Sequence, residues 1–128
     1  MTQRIMIPIA PRTKKNSGRI IWNKKHNRPM FIPSQSYVDY EKECGYYLKN
    51  VEPFLTACNL QCLFYMPTHR RVDLNNLLNA ITDILVHYGI LIDDNSNIIK
   101  GFDGSRVLYS KENPRTELII SEFKEVEE

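Results

Sequence analysis

No uninterrupted apolar run in this 128-residue chain approaches the roughly 20 residues that a membrane-spanning helix needs, so no membrane is expected as a partner. The opening Met1-Thr2-Gln3-Arg4-Ile5 lacks the apolar stretch of a secretory signal, and a cytoplasmic location is expected. Zinc spacing is missing as well. Cys44, Cys58 and Cys62 are odd in number, and the four-residue step from Cys58 to Cys62 has no second pair to match it. Small buried thiols in a reducing compartment are the expected reading. Repeats and low-complexity segments are also absent. The length allows one real core but not two, so residues 1–128 are expected to form a single domain.

Acidic residues are missing from one stretch altogether. Between Arg12 and Arg28 the chain carries Arg12, Lys14, Lys15, Arg19, Lys24, Lys25 and Arg28 with no carboxylate among them. The net charge of +2 hides this split: residues 1–71 hold 12 Lys and Arg against 4 Asp and Glu, residues 72–128 hold 5 against 11. Like charges so closely spaced repel unless solvent or a polyanion separates them. A phosphate-contacting surface is therefore expected over a merely solvated loop.

Hydrophobic periodicity supplies the elements. Arg4 to Ile9 alternates as a first strand, with Pro8 at its end. Ile20-Ile21-Trp22 and Met30-Phe31-Ile32 flank a polar, cationic tip and form a hairpin. Trp22 beside those lysines could stack on a base, but a lone tryptophan at a strand centre is expected in the core. Ser36 is placed to cap a first helix, with Asp39 favourable in its first turn and Tyr37, Tyr40, Cys44, Tyr47, Leu48 and Val51 at helical spacing. That helix is expected to run to about Asn50, before Pro53. Leu60 to Met66 reads as a buried strand. Leu74, Leu77, Leu78, Ile81, Ile84, Leu85 and Tyr88 form one stripe of a second helix, stopped by Gly89. Ile90-Leu91-Ile92 reads as a short strand or the approach to one. Ile98–Tyr109, kinked at Gly101 and Gly104, and Thr116–Phe123 read as further strands, with Glu125–Glu128 an acidic tail. The expected fold class is α+β: a mixed sheet of about five to six strands with two main helices.

Carboxylates flank the second helix. Asp73 precedes it, with Arg70 and Arg71 just upstream, and Asp93-Asp94-Asn95 follows it. Adjacent aspartates repel unless a divalent metal, a basic side chain or the water around a turn stabilises them. If Asp73 is still extended, its side chain and that of Asn75 point the same way, and a returning segment after Gly89 could bring Asp93 or Asp94 back to Asp73. Asp73 and Asp94, with the Asn75 carbonyl, would then suffice for magnesium, which takes one or two carboxylates and keeps several waters. Arg70 and Arg71 would hold phosphates beside it. Otherwise Asp73 is a helix cap and Asp93-Asp94-Asn95 a turn. His69 and His87 read as surface residues.

The run Arg70-Arg71-Val72-Asp73-Leu74-Asn75-Asn76-Leu77-Leu78-Asn79-Ala80-Ile81-Thr82-Asp83-Ile84-Leu85, followed by Gly89-Ile90-Leu91-Ile92-Asp93-Asp94-Asn95, resembles the core of the RusA-type Holliday junction resolvases. The layout upstream agrees: a first strand, a basic loop with Pro11, Lys14, Lys15 and Asn16, then a Ser-x-x-Tyr-type helix start. The resemblance implies a small α+β homodimer, often phage- or prophage-encoded, that binds four-way DNA junctions and nicks them symmetrically with magnesium, manganese being a possible substitute. By position, Asp73 and Asp94 match the family's metal carboxylates, Asp93 the supporting acid beside them, and Asp83 a recurrent helix aspartate that is either structural or a support behind the metal ligands.

Two departures stand out. Asn75 replaces the commonest aspartate and Asn79 the commonest lysine, which implies weaker metal affinity and the loss of one phosphate contact. Two other readings follow: a degenerate member that binds branched DNA without cutting it, and an interaction module without nucleic acid, whose aspartates only cap and turn.

Overall fold

β-formers at period two and apolar residues at helical spacing assemble into an α+β fold, here as a computed structural model that describes residues 1–14 and 19–125. The elements are β1 (Thr2–Ile7), β2 (Arg19–Asn23), β3 (Arg28–Ile32), α1 (Gln35–Leu48), β4 (Cys58–Met66), α2 (Leu74–His87), β5 (Ile99–Gly101), β6 (Arg106–Tyr109) and β7 (Arg115–Glu122). Five strands form one mixed sheet in the order β1-β7-β4-β5, with β6 also on β4; β2 and β3 form a separate hairpin. The expected class and helix number agree with this. Residues 126–128 of the acidic tail lie outside the described residues.

β4 is the centre. It pairs antiparallel with β7 and, along its other edge, parallel with β5 and β6. Its alternation buries Cys58, Leu60, Cys62 and Phe64. Register places Leu60 opposite Ile120, Cys62 opposite Leu118 and Phe64 opposite Thr116, while β1 adds Ile5 opposite Leu118 and Ile7 opposite Thr116. Tyr37, Tyr40, Cys44 and Leu48 of α1 and Leu77, Ile81, Ile84 and Leu85 of α2 join the same core.

Boundaries shift where local chemistry overrides periodicity. β1 spans Thr2–Ile7, not Arg4–Ile9, because Pro8 has no N–H to continue the ladder. The α1 cap is Ser34, not Ser36: Ser34 follows Pro33 with extended backbone, and its hydroxyl accepts from the Tyr37 N–H at 3.2 Å. α1 stops at Leu48, two residues before Asn50. α2 ends as its glycine predicts. Gly89 has φ of 76°, its N–H donates to the Val86 carbonyl, and the Ile90 N–H donates to that of Leu85, a Schellman closure.

That closure removes the expected strand at 90–92. Ile90 and Leu91 are buried, but their N–H groups go back to Leu85, and the Ile90 carbonyl accepts from the Phe54 N–H. The span 98–109 is broken, not kinked. Between β5 and β6 the chain turns at Gly104, φ 84°, and β4 side chains tie the turn down. Asn59 bonds both the N–H and the carbonyl of Asp103, Gln61 donates to the Gly104 carbonyl, and the Ser105 hydroxyl accepts from the Cys62 N–H. Trp22 is not in the core. It sits on the detached hairpin and is 57% exposed.

Two predictions follow from packing. A Cβ at Gly45 would stand 2.5 Å from the Tyr88 hydroxyl, which donates to the Glu41 carbonyl and links the end of α2 to α1. Gly45→Ala should therefore destabilise by about 1–3 kcal/mol in urea unfolding, the size of a typical overpacking cost; an unchanged midpoint refutes the contact. Cys44, Cys58 and Cys62 are free and fully buried, and burial pushes the thiols of Cys44 and Cys62 up to about 12 and that of Cys58 in the same direction. Native protein at pH 8 should resist a thiol reagent until denatured, and prompt labelling would contradict the burial.

Candidate functional site

Asp73 occupies the junction between an extended lead-in and α2. Its φ and ψ are −91° and 120°, and its Oδ1 accepts from the Asn75 N–H at 3.0 Å. It is thus a helix cap in structure, as one reading of the sequence has it, with its carboxylate exposed at the mouth of the helix. Asn75 is exposed in the first turn. The helix start is also the positive end of the α2 dipole, which favours anions.

Three arginines converge there. Arg12 from the loop after β1 and Arg70 and Arg71 from the loop before α2 line one groove of about 240 Å³, with Met66, Val72 and Leu77 in its floor and wall. Arg12 is held in place by donating to the Ser36 carbonyl at 2.9 Å. Sequence reasoning placed Arg12 and the Arg70–Arg71 pair in separate segments; the fold brings them together. Lys14 goes to α2, 3.8 Å from the Asp83 carboxylate and with its ammonium 5.7 Å from the Tyr37 ring centroid. Lys14 thereby shares a pocket with Asn79, the position where the family pattern carries lysine.

The hairpin holds the remaining cations. Arg19 begins β2, Lys24 and Lys25 form the tip, and Arg28 begins β3, all exposed. Asn23 anchors the tip by accepting from the N–H groups of Lys25 and His26. Lys15 lies outside the described residues, as does Asn16.

Asp93 and Asp94 sit elsewhere. The segment after Gly89 bends instead of returning extended. Asp93 accepts from the Asp94 N–H at 2.8 Å and from the Asn95 side-chain amide at 3.2 Å, and the Asn95 carbonyl accepts from Ile98 and Ile99. This is the turn that the sequence also allowed. The flanking carbonyls of Ile90 and Ile98 accept from Phe54 and Cys58, at the start of β4. The Asp73 groove includes Met66, at the end of β4. The two acidic groups therefore lie toward opposite ends of α2, whose 14 residues span about 20 Å. Among the described residues, no group of three or more His, Cys, Asp or Glu is gathered closely enough to hold a metal ion. The sequence allowed an extended return of Asp93 or Asp94 toward Asp73; the Schellman closure and the Asp93 turn instead hold the segment after Gly89 in local hydrogen bonds.

The other candidates are placed plainly. His87 is exposed, 3.9 Å from Glu41, and His69 is exposed and stacked on Tyr109 at 3.8 Å. Asp83 is exposed on α2. Two residues to which the sequence reading gave no functional role, Phe31 and Asn76, line the Lys14 pocket. Strand alternation puts Phe31 on the same hairpin face as Trp22 and could have pointed to it.

The capping role of Asp73 is separable from any chemical one. Asp73→Ala should lower stability by about 1 kcal/mol in urea unfolding while Asp73→Asn stays close to the parent, since asparagine caps as well; equal losses in both would deny the cap.

No helix among the described residues is long and apolar enough to cross a membrane. No curated protein matches the chain. Residues 8–121 match the family profile of Endodeoxyribonuclease RusA, which takes in both helices, the Asp73 lead-in, the Asp93-Asp94 turn and most of the sheet. A match over most of the chain places this protein in the RusA endodeoxyribonuclease family.

Proposed function

We propose that this chain is a magnesium-dependent, structure-selective endonuclease that nicks four-way DNA junctions in symmetric pairs, acting as a homodimer in the cytoplasm. The observation that carries the reading is the groove where Arg12, Arg70 and Arg71 meet at the positive end of α2, one residue from Asp73. Three guanidinium groups and a helix N-terminus make a phosphate seat, and the exposed carboxylate of Asp73 stands at its edge. The hairpin tip extends the cationic surface along a duplex arm.

With Asp73 at the start of α2 and Asp94 in the turn that follows it, this reading draws the metal ligands from two copies. Asp73 and Asn75 would supply oxygens from one protomer, and Asp94, supported by Asp93, from the other. Magnesium bound there supplies charge neutralisation at the scissile phosphate and a more acidic water. The chain itself holds the phosphodiester through Arg12, Arg70 and Arg71 and keeps the flanking arms on the hairpin cations. A C₂ dimer carries two such sites, which suits two opposed cuts.

Asn75 and Asn79, where the family pattern carries aspartate and lysine, favour a second reading: a member that binds branched DNA without cutting it.

Mixing tests separate these. Asp73→Asn and Asp94→Asn should each abolish magnesium-dependent nicking of a labelled four-way junction while binding it at least as tightly as the parent. Co-refolded together, the two inactive proteins should regain single-strand nicking, because one site of each mixed dimer then has both parental aspartates. Failure of the mixture with an active parent would place each site in one chain. A parent that binds junctions but never cuts them, with magnesium or manganese, would establish the second reading.

A further inference from the structure

The hairpin and α2 enclose a pocket that the catalytic reading leaves without a role. It holds about 290 Å³ and is lined by Lys14, Phe31, Asn76, Asn79, Ala80 and Asp83. Asn76 is largely buried and contributes to the lining of this pocket, and no side-chain hydrogen bond among the described residues engages its carboxamide. A carboxamide that borders a pocket offers both a donor and an acceptor to a ligand.

The opposite wall is aromatic. β2 and β3 register Ile20 against Phe31 and Trp22 against Pro29, so these four side chains share one face of the hairpin, while Arg19, Asn23 and Arg28 lie on the other. All four are exposed, Ile20 at 73%, Trp22 at 57% and Phe31 at 43%. A flat apolar face leads straight to the pocket. The three-arginine groove is adjacent: Asn76 and Leu77 are neighbours on α2, and Arg12 and Lys14 are two residues apart in the loop.

We infer that this pocket takes an unstacked nucleobase of branched DNA, with Phe31 stacking on its face and the Asn76 carboxamide hydrogen-bonding its edge. The inference rests on the DNA reading of the groove and adds to it a source of structure selectivity. A carboxamide offers one donor and one acceptor side by side, which matches a base edge that presents the same pair. The volume suits a ligand smaller than a typical drug-sized molecule. A branch point exposes bases whose unstacking costs least, whereas a continuous duplex keeps its bases stacked. The adjoining cations identify the occupant as part of a polyanion, since phosphates seated on Arg12, Arg70 and Arg71 deliver their base to the neighbouring pocket.

The test uses a four-way junction carrying 2-aminopurine beside the branch point, titrated in EDTA with the parent protein, Asn76→Ala and Phe31→Ala, and a linear duplex as control. The parent should change the 2-aminopurine fluorescence on binding. Each variant should lose that change and bind the junction about tenfold more weakly, the size of one lost base contact, with duplex affinity unaltered. The thermal midpoint of Asn76→Ala should not fall, because no side-chain hydrogen bond among the described residues engages the carboxamide. Phe31→Ala lies on the exposed hairpin and tests the same pocket without touching α2. Parental affinity and signal in both variants would overturn the inference and leave the DNA reading standing, as would equal weakening on junction and duplex. A changed sedimentation coefficient in Phe31→Ala would assign the pocket to a contact between copies, and so overturn it too. If the parent itself ignores junctions, both readings fail.

Discussion

A central strand has to satisfy hydrogen-bonding groups along two edges and still keep one side chain in two out of water, and in this chain β4 carries that double requirement. It has β7 on one edge and the β5–β6 pair on the other, so its backbone is spent on the sheet. Cys58, Leu60, Cys62 and Phe64 then present one apolar surface that only a layer of helices can cover. α1 and α2 supply that layer through their own apolar stripes. The loops at either end of β4 inherit their positions from this packing. Arg70, Arg71 and Asp73 emerge where β4 ends, and the Asp93 turn emerges where it begins.

α2 consequently acts as a spacer as much as a core element. One end carries a positive dipole and three arginines, and beyond the other end lies an acidic turn. The charge division visible along the chain becomes a division in space. Separating opposite charges by the length of a helix leaves the basic end available to a polyanion and the acidic end available to whatever meets it in an assembly.

Much of this was legible because it depends on local patterns. The α2 stripe, the Gly89 stop, the hairpin with its cationic tip and the extended backbone at Asp73 all follow from spacing and residue type. Shifts of a residue or two, such as the Ser34 cap, arise where two serines two positions apart can both cap and the extended backbone falls on the first of them. Larger misses share a cause: they depend on side chains distant in sequence. Nothing near Gly104 announces that Asn59 and Gln61 will hold its turn, 43 to 45 residues away in the chain. Likewise Trp22 looks like a core residue until the hairpin is seen to stand apart from the sheet, and Phe31 and Asn76 become neighbours only across that gap. For the acidic groups, the length of chain after Gly89 sets only a maximum reach, and hydrogen bonds at Ile90, Leu91 and Asp93 shorten it locally.

The broken strand opposite β7 also bears on how the protein behaves in solution. A smooth edge beside β4 would present a continuous row of unpaired N–H and C=O groups, ready to recruit another chain into an extended sheet. Here that edge is two short pieces of three and four residues, β5 and β6, with a turn between them bound by side chains of β4. Such an edge offers no run long enough to template growth. The interruption that defeated a simple strand assignment is therefore also a guard against aggregation, built from two amides, a serine and a glycine.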